Sequence, residues 1–595
     1  MNPKHRGLRP ADDERIREDL RLAHDFDPRD PLFGLSRAAL SGPRLDRRTT
    51  LRLLAAAGTL SAWHLMPGIG IRPAAAQTGS ELRCGWAGVG EIRTLDPAQI
   101  NQVLQFQITS NVLSGLTHID PKLVAGGDLA EDWTVSDDGK EFTFHLREGV
   151  TFHDGSPFTA DDVLFTYNRS KDPEKSIHSR VLANVKDVVK VDDHTVKIVL
   201  GAPQASFLTK TLERSSGRAM TIVSRRGLEQ LGAAQYGLTP VGTGPFRVTA
   251  HTMGQSVVLE RFEKYYDPER PKLDKVTITP IIDAEPLAAS IEAGDIELIG
   301  GNPIAPELTD RFVANPDLEV SIVPGPGFQN VWLNPWREPF AVADFNQPLD
   351  QLMQERGFKV RLAIAKALDR ERYIEQAQFG RGTPAYGTIN PAMGLYFDDS
   401  LGATSNQRYD LDAAKALLAD AGFPDGQGFP KLKIIHTPDE RREVQVIANI
   451  LKTGLGIELE LDTKDFPVLI DQFDKMDWDL VRLGSGGDYD PDDGLVDWMQ
   501  TSSKFNGPGR DKDKMAFGFF SDRRVDELTD QQSLETDPKK RKALVQEANK
   551  ITSDKVAGAF LFHPMDILVY RKTVAFPPES RIPGLVDLDR TTISS

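Results

Sequence analysis

Two strand–helix–strand units, far apart along the chain, constrain its fold more than any other feature. The first starts at VTITPII (276–282), continues as a helical run from Ala284 to Ala293 closed by Gly294, and returns as IELI (296–299). The second runs from KLKIIH (431–436) through a helix between Pro438 and Lys452, past Gly454 and Gly456, into IELEL (457–461). Helical spacing also covers Phe358 to Leu368 and Leu411 to Ala421. The expected class is therefore α/β with two lobes, which bind ligands outside the carboxyl ends of their strands. A length of 595 residues fits two or three domains rather than one core. The region from about 120 to 235 reads as a β-rich insert. There Phe142, Phe144 and Leu146 alternate with polar residues after Asp137-Asp138-Gly139, and Val196, Ile198 and Leu200 repeat the pattern. Thr159 and Asp162 form a capping box for a helix carrying Val163, Leu164 and Tyr167.

Charge and cysteine content exclude several function classes. With 87 acidic and 71 basic side chains the net charge is -16, which opposes binding to phosphate backbones, so no nucleic-acid partner is expected. A single cysteine, Cys84, excludes an internal disulfide. Eleven histidines show no pair at ligand spacing, so neither a dedicated metal site nor a cofactor is expected. Residues 44–77 have the order of an export signal: twin arginines Arg47 and Arg48, a short apolar run from Leu53 to Met66, and the small residues Ala74-Ala75-Ala76. The apolar run falls short of the roughly 18–20 residues that a membrane-spanning helix needs. Residues 1–76 are thus expected to be an N-terminal extension with a twin-arginine signal peptide, and the mature chain a monomer in the periplasm.

The most concentrated chemistry lies in SGGDYDPDD (485–493), which leaves the expected strand WDLVRL (478–483) at its carboxyl end. Asp488, Asp490 and Asp492 fill the first three ligand positions of a calcium loop, but Asp493 stands where glycine is required and Met499 where the bidentate glutamate belongs. A nucleophile elbow at Ser485 fails as well, because Leu483 replaces its first glycine. Spacing leaves open a ligand-docking carboxylate and a loop whose aspartates make turn and cap hydrogen bonds.

Read as a string, LAEDWTVSDDGKEFTFHLREGVTFHDGSPFTADDVLFTYNR (129–169) resembles the signature stretch of the family 5 solute-binding proteins of bacterial ABC importers. TLDPA (94–98), VGTGPFRV (241–248), EKYYDPERPKLDKV (263–276), EAGDIEL (292–298), VRLAIAKALDRERYI (360–374), AKALLADAGFPDG (414–426) and ETDPKKRKALVQEANKI (535–551) follow in family order. The resemblance implies a two-lobed periplasmic-binding-protein fold with an additional β-rich subdomain, closing on its ligand without chemistry. It implies lobe I at 77–120, 236–327 and 563–595, the subdomain at 121–235, and lobe II at 328–562. His145 and His153 are structural in this signature.

In peptide-binding members of the family an aspartate in a Gly-Trp-x-[Ala/Gly]-Asp loop pairs with the peptide's α-ammonium group. Asp488 matches that aspartate, while Ser485 stands at the position of the tryptophan. The ligand contacts implied are Asp488 and Tyr489, the loop glycines Gly486 and Gly487, and, in GFQNVWLNPWREPF (327–340), Trp332 and Asn334. Trp332 and Trp336 read equally as cleft walls or as packing. The segment from Ala341 to Arg356 resembles an insertion that would reshape the pocket entrance. Asp490, Asp492 and Asp493 read as solvated or structural. The expected function is a periplasmic receptor for a peptide or another amine-bearing solute, with an ABC importer permease as its partner. The alternatives are a receptor for an oligosaccharide, an opine or a metal chelate and, more remotely, a periplasmic hydrolase.

Overall fold

The structure, a computed structural model, describes residues 80–594 except 89, 101, 215–218, 302–303, 305, 488, 504 and 507–517. The leader with Arg47 and Arg48, and Asp488 in the acidic loop, lie outside the described residues.

The apolar run at 276–282 forms the strand Lys275–Ile281, and the helix Ala284–Ala293 follows, capped by Gly294 at φ 80°. Glycine suits that cap because a left-handed backbone there carries no Cβ penalty. The unit differs from the expected one in its return strand. Leu298–Gly301 does not pair with Lys275–Ile281; Glu81–Ala87 lies between them, parallel to both. In the second unit Leu432–His436 pairs directly and in parallel with Leu459–Thr463, and Leu480–Arg482 flanks it on the other side. The intervening helix is Arg441–Leu455, closed by Gly456 at φ 71°.

One strand of 13 residues, Ala559–Arg571, unites the two systems. Its first half pairs antiparallel with Gln329–Leu333 and Gly382–Pro384, its second half with Leu318–Pro324 and Leu298–Gly301. The result is a single twelve-stranded mixed sheet whose two ends fall in the segments expected as lobe I and lobe II. The changeover falls between Phe562 and Pro564. His563 is buried, and its Nδ1 lies 3.2 Å from the Gly327 carbonyl; burial lowers its pKa to about 4, so the ring is neutral there.

The insert is a four-stranded antiparallel sheet in the spatial order Ala130–Val135, Glu141–Leu146, Thr195–Leu200, Val185–Asp192. Phe142, Phe144, Val196 and Ile198 point into its core. The helix Ala160–Lys171 begins with the Thr159–Asp162 capping box and buries Val163 and Tyr167. Arg169, at the end of this helix, donates to both carboxylate oxygens of Asp96 at 2.8 and 2.5 Å, joining two of the sequence motifs across the lobe I boundary. In VGTGPFRV, a Cβ on Gly242 would lie 2.2 Å from the Val112 carbonyl oxygen, so close backbone approach fixes that glycine. His153 accepts from Gly242 N–H at 3.2 Å and lies 3.0 Å from the Gly244 carbonyl, a structural role; burial lowers its pKa to about 4.

The 341–356 segment is packed in part into the core. Val342, Phe345 and Leu352 are buried in the lobe II core, and Lys555 Nζ donates to the carbonyls of Phe345 and Gln347. Among the described residues no helix is long and apolar enough to cross a membrane.

A buried ionic cluster ties the C-terminal segment to lobe I and the subdomain. Arg214 donates to Asp587 at 2.7 Å and Arg270 to Asp589 at 2.9 Å. Burial, and then the neighbouring Asp587 carboxylate, push the Asp589 carboxyl up to about 6. An acid raised in this way favours the folded state fully below its unfolded pKa of about 3.9, and loses that contribution as pH rises through about 6. Asp589→Asn removes the slope. Its melting temperature relative to the parent is expected to rise between pH 4 and pH 6, and parallel melting profiles for the two proteins would exclude this origin.

Candidate ligand-binding site

The acidic loop starts from a strand end that is electrostatically locked. Arg482, with its side chain 2% exposed, donates to Glu443 at 2.7 Å and to Gln329 Oε1 at 2.6 Å, and Glu440 lies 3.4 Å away. Burial alone would lower its pKa, but the two carboxylates outweigh burial and hold it above the ordinary arginine value. The guanidinium therefore stays charged and pins the carboxyl ends of the lobe II strands to the helix Arg441–Leu455.

Three residues on, Ser485 forms an antiparallel bridge with Phe328: Phe328 N–H donates to Ser485 O at 3.2 Å, and Ser485 N–H to Phe328 O at 3.0 Å. The Ser485 hydroxyl accepts from Gly487 N–H and donates to Asp493, both at 3.0 Å. The residue at the family's tryptophan position thus closes the loop on itself instead of presenting an aromatic face. Gly487 has φ 86°, and a Cβ there would lie 1.9 Å from the Pro326 carbonyl oxygen, so no other residue fits. Gly486 is exposed, with nothing within 4 Å of an added Cβ. Tyr489 is half-buried and packs on a small cluster of Ile119, Ile582 and Leu585 from the lobe I side. Loop and lobe I therefore touch.

The other aspartates of the loop are structural rather than solvated. Arg541 grips Asp490 through two hydrogen bonds of 2.8 and 2.5 Å, both side chains being about 95% buried. Asp492 accepts from Gln532 at 2.6 Å, Ser206 at 2.7 Å and Ser533 at 3.2 Å. With Asp493 bonded to Ser485, each described aspartate of the loop is engaged inside the protein. Among the described residues no group of three or more His, Cys, Asp or Glu side chains is arranged to hold a metal ion. Arg541 and Ser206 were not singled out in the sequence. Arg541 stands in the ETDPKKRKALVQEANKI motif, the one signal that marked its surroundings.

Trp332 and Asn334 do not reach a cleft. Trp332 is wholly buried, stacked 5.4 Å from Trp498 at an interplanar angle of 3° and packed 4.0 Å from Phe519. Asn334 is equally buried; its amide donates to the carbonyls of Met476 and Trp478, and its oxygen accepts from Trp336 N–H. Both belong to the lobe II core, because their strand is central in the sheet and covered on both faces. Trp336 is half-buried and donates to Gly518 O at 2.9 Å.

A cavity of about 370 Å³ opens beyond the carboxyl ends of the lobe II parallel strands, lined by Gln329, Thr437, Glu440, Phe466, Leu483 and Gly484. It adjoins the start of the acidic loop, where an open α/β sheet takes its ligand. A larger depression of about 610 Å³, lined by Leu534 and Leu544, lies between the helices Arg523–Leu534 and Pro538–Asp554 and includes none of the loop.

Comparison with known proteins gives concordant results. The sequence pattern described as "Bacterial extracellular solute-binding proteins, family 5 Middle" matches residues 125–507. The glutathione-binding protein GsiB of Salmonella typhi is 30% identical over 380 residues, 63% of this chain and 67% of the relative. The oligopeptide-binding protein AppA of Bacillus subtilis, solved with a nonapeptide, superposes with a TM-score of 0.68 at 22% identity, covering 87% of this chain and 100% of AppA. MoaA of A. tumefaciens R10, solved with mannopinic acid, gives a TM-score of 0.68 at 24% identity over the same shares. At these identities the two solved structures establish the fold, the two-lobed periplasmic-binding-protein architecture.

Proposed function

The chain belongs to the bacterial extracellular solute-binding proteins of family 5, and from that membership we propose that it captures a short peptide or another amine-bearing solute between its lobes and delivers it to the permease of an ABC importer. Receptors of this architecture work by closure, and a ligand drives closure only through contacts that are better in the closed state. The observation that carries the reading is the acidic loop, which leaves the carboxyl edge of lobe II, is rigidly tied at Ser485 and Asp490, and touches lobe I through Tyr489. In this reading Asp488, which matches the ammonium-pairing aspartate of the family's loop, takes the ligand's ammonium group. A charge-assisted bond of that kind contributes about 1.5–3 kcal/mol once shielded from water. Gly486, Gly487 and Tyr489 flank it. Trp332 and Asn334 are left out of the ligand contacts because both are sealed in the lobe II core. The name of the relative GsiB makes glutathione, which carries a free α-amine, the first compound to try. Export through the twin arginines Arg47 and Arg48, and residence in the periplasm, complete the reading.

The test is a thermal-shift panel of glutathione, di- to pentapeptides, an opine and an oligosaccharide. A ligand at 100 times its Kd stabilises by about 2.7 kcal/mol. Shifts from amine-bearing compounds that vanish on N-acetylation are expected. Shifts from the oligosaccharide alone would replace this reading with a receptor for a neutral solute.

A further inference from the structure

Asp490 and Asp492 of the acidic loop make a second contact, with the subdomain. The turn Phe207–Thr211 of the subdomain is one wide helical turn anchored on its own side. Phe207 is fully buried, 4.9 Å from Phe142, and Thr117 of lobe I donates to the Leu208 carbonyl at 2.7 Å. From that base the turn faces lobe II. Ser206 Oγ donates to Asp492 at 2.7 Å with both residues buried, Thr209 Oγ1 lies 3.4 Å from Asp490, Lys210 Nζ lies 3.3 Å from Asp497, and Ala205 N–H donates to the Ser533 carbonyl at 2.7 Å.

We propose that this turn is the closing contact of the receptor and that Ser206 and Lys210 are positioning residues for the ligand loop. Three kinds of observation converge on it. The contact joins a unit fixed to lobe I with a loop fixed to lobe II, so opening the lobes must break it. It buries a carboxylate, Asp492, that takes donors from the subdomain and from the helix Arg523–Leu534 at once, and a buried carboxylate that loses a donor is destabilised. It also reaches Asp490, the Arg541-held end of the short span from Ser485 to Asp490, whose other end is tied to Phe328. Docking of the turn therefore reinforces the hold of Arg541 on the span that carries Gly486, Gly487 and Tyr489. Ligand held by that span and docking of the turn stabilise each other, and by linkage the coupling acts equally in both directions.

The inference rests on the preceding reading only in taking this loop as the ligand loop, and its test separates the two. Hydrogen exchange is measured on the full ligand-free chain for Ser206→Ala, Ser206→Thr and Lys210→Ala. Faster exchange, by roughly tenfold, is expected at residues 489–497 in Ser206→Ala and Lys210→Ala, with Glu141–Leu146 and Gln329–Leu333 unchanged and Ser206→Thr at the parent rate. Unchanged exchange at 489–497 in both variants would overturn the proposal. Affinity for glutathione, or for the panel compound that binds the parent, is expected to fall about tenfold in Ser206→Ala and to recover in Ser206→Thr. Faster exchange at full affinity would overturn the coupling. Lys210→Ala alters a partly exposed pair and keeps the test open should Ser206→Ala fail to fold. A parent that binds none of the panel would count against the amine-receptor reading, while the exchange result still decides the closing contact.

Discussion

Arg541→Ala is expected to lower the stability of the chain by about 3–5 kcal/mol and to abolish ligand binding. The guanidinium satisfies both oxygens of Asp490, lies 3.5 Å from Asp492 and sits over the Tyr396 ring at 5.2 Å. Truncation leaves the Asp490 charge buried and unpaired, which costs far more than the pair contributes relative to an apolar pair of the same shape. The double variant Arg541→Met with Asp490→Leu is therefore expected to be more stable than Arg541→Ala alone, although it too loses the loop's fixed end. The acid limb of stability carries the same signature. Burial by itself would raise Asp490, but the Arg541 charge and hydrogen bonds outweigh burial and hold it below the ordinary carboxyl value. A depressed carboxyl contributes fully above its unfolded pKa of about 3.9 and loses that contribution as pH falls through the folded value. Without Arg541 burial is opposed only by the weaker effects of the Asp492 N–H bond and the Lys210 charge, so acid unfolding is expected at higher pH than in the parent. Urea titrations at pH 7 and pH 4 check both statements, and parallel losses at the two pH values would exclude the ion pair as the cause.

Asp488→Ala is expected to leave the fold and melting temperature unchanged and to weaken binding of an amine-bearing ligand by about 2–5 kcal/mol, roughly 30-fold or more. Truncating one partner of a buried charge pair strands the other, so the ammonium would enter the closed cleft without its counter-charge. Asp488→Asn, which keeps the shape and removes the charge, is expected to lose nearly as much. Calorimetric titration decides the matter, and full affinity in both variants would move the anchor elsewhere in the cleft. The contrast with Arg541→Ala is diagnostic. One loop then holds an aspartate that acts on the ligand and another that acts on the fold, two residues apart.

Local signals in the sequence carried much of the fold. The helix Ala284–Ala293 with its glycine cap and the Thr159–Asp162 capping box depend on residues three or four apart, and spacing reports such features directly. Insertion of Glu81–Ala87 between two strands of an apparent strand–helix–strand unit depends on pairing nearly two hundred residues away. No local period encodes it. The long strand Ala559–Arg571 was likewise hidden, because AFLFHPMDILVYR is buried from Ala559 to His563, partly exposed from Pro564 to Asp566 and buried again from Ile567 to Val569, with a proline at the changeover. In the site, the loop and its glycines were legible from their place at a strand end. The bond of Asp490 to Arg541 was not, since a carboxylate bound for solvent and one bound for a buried arginine look alike in one dimension. Trp332 illustrates the converse. An aromatic residue in a strand is equally consistent with a ligand wall and a core, and only its stacking on Trp498 and Phe519 decides for the core.

The account stands most directly on what the protein carries when taken from its own cell. Native mass spectrometry of the chain, isolated gently from its own cell and then denatured to release any bound molecule, is expected to yield a one-to-one adduct that is a peptide or another solute with a free amine. Release of a sugar lacking an amine, or exchange of the adduct unaffected by Asp488→Ala, would contradict it.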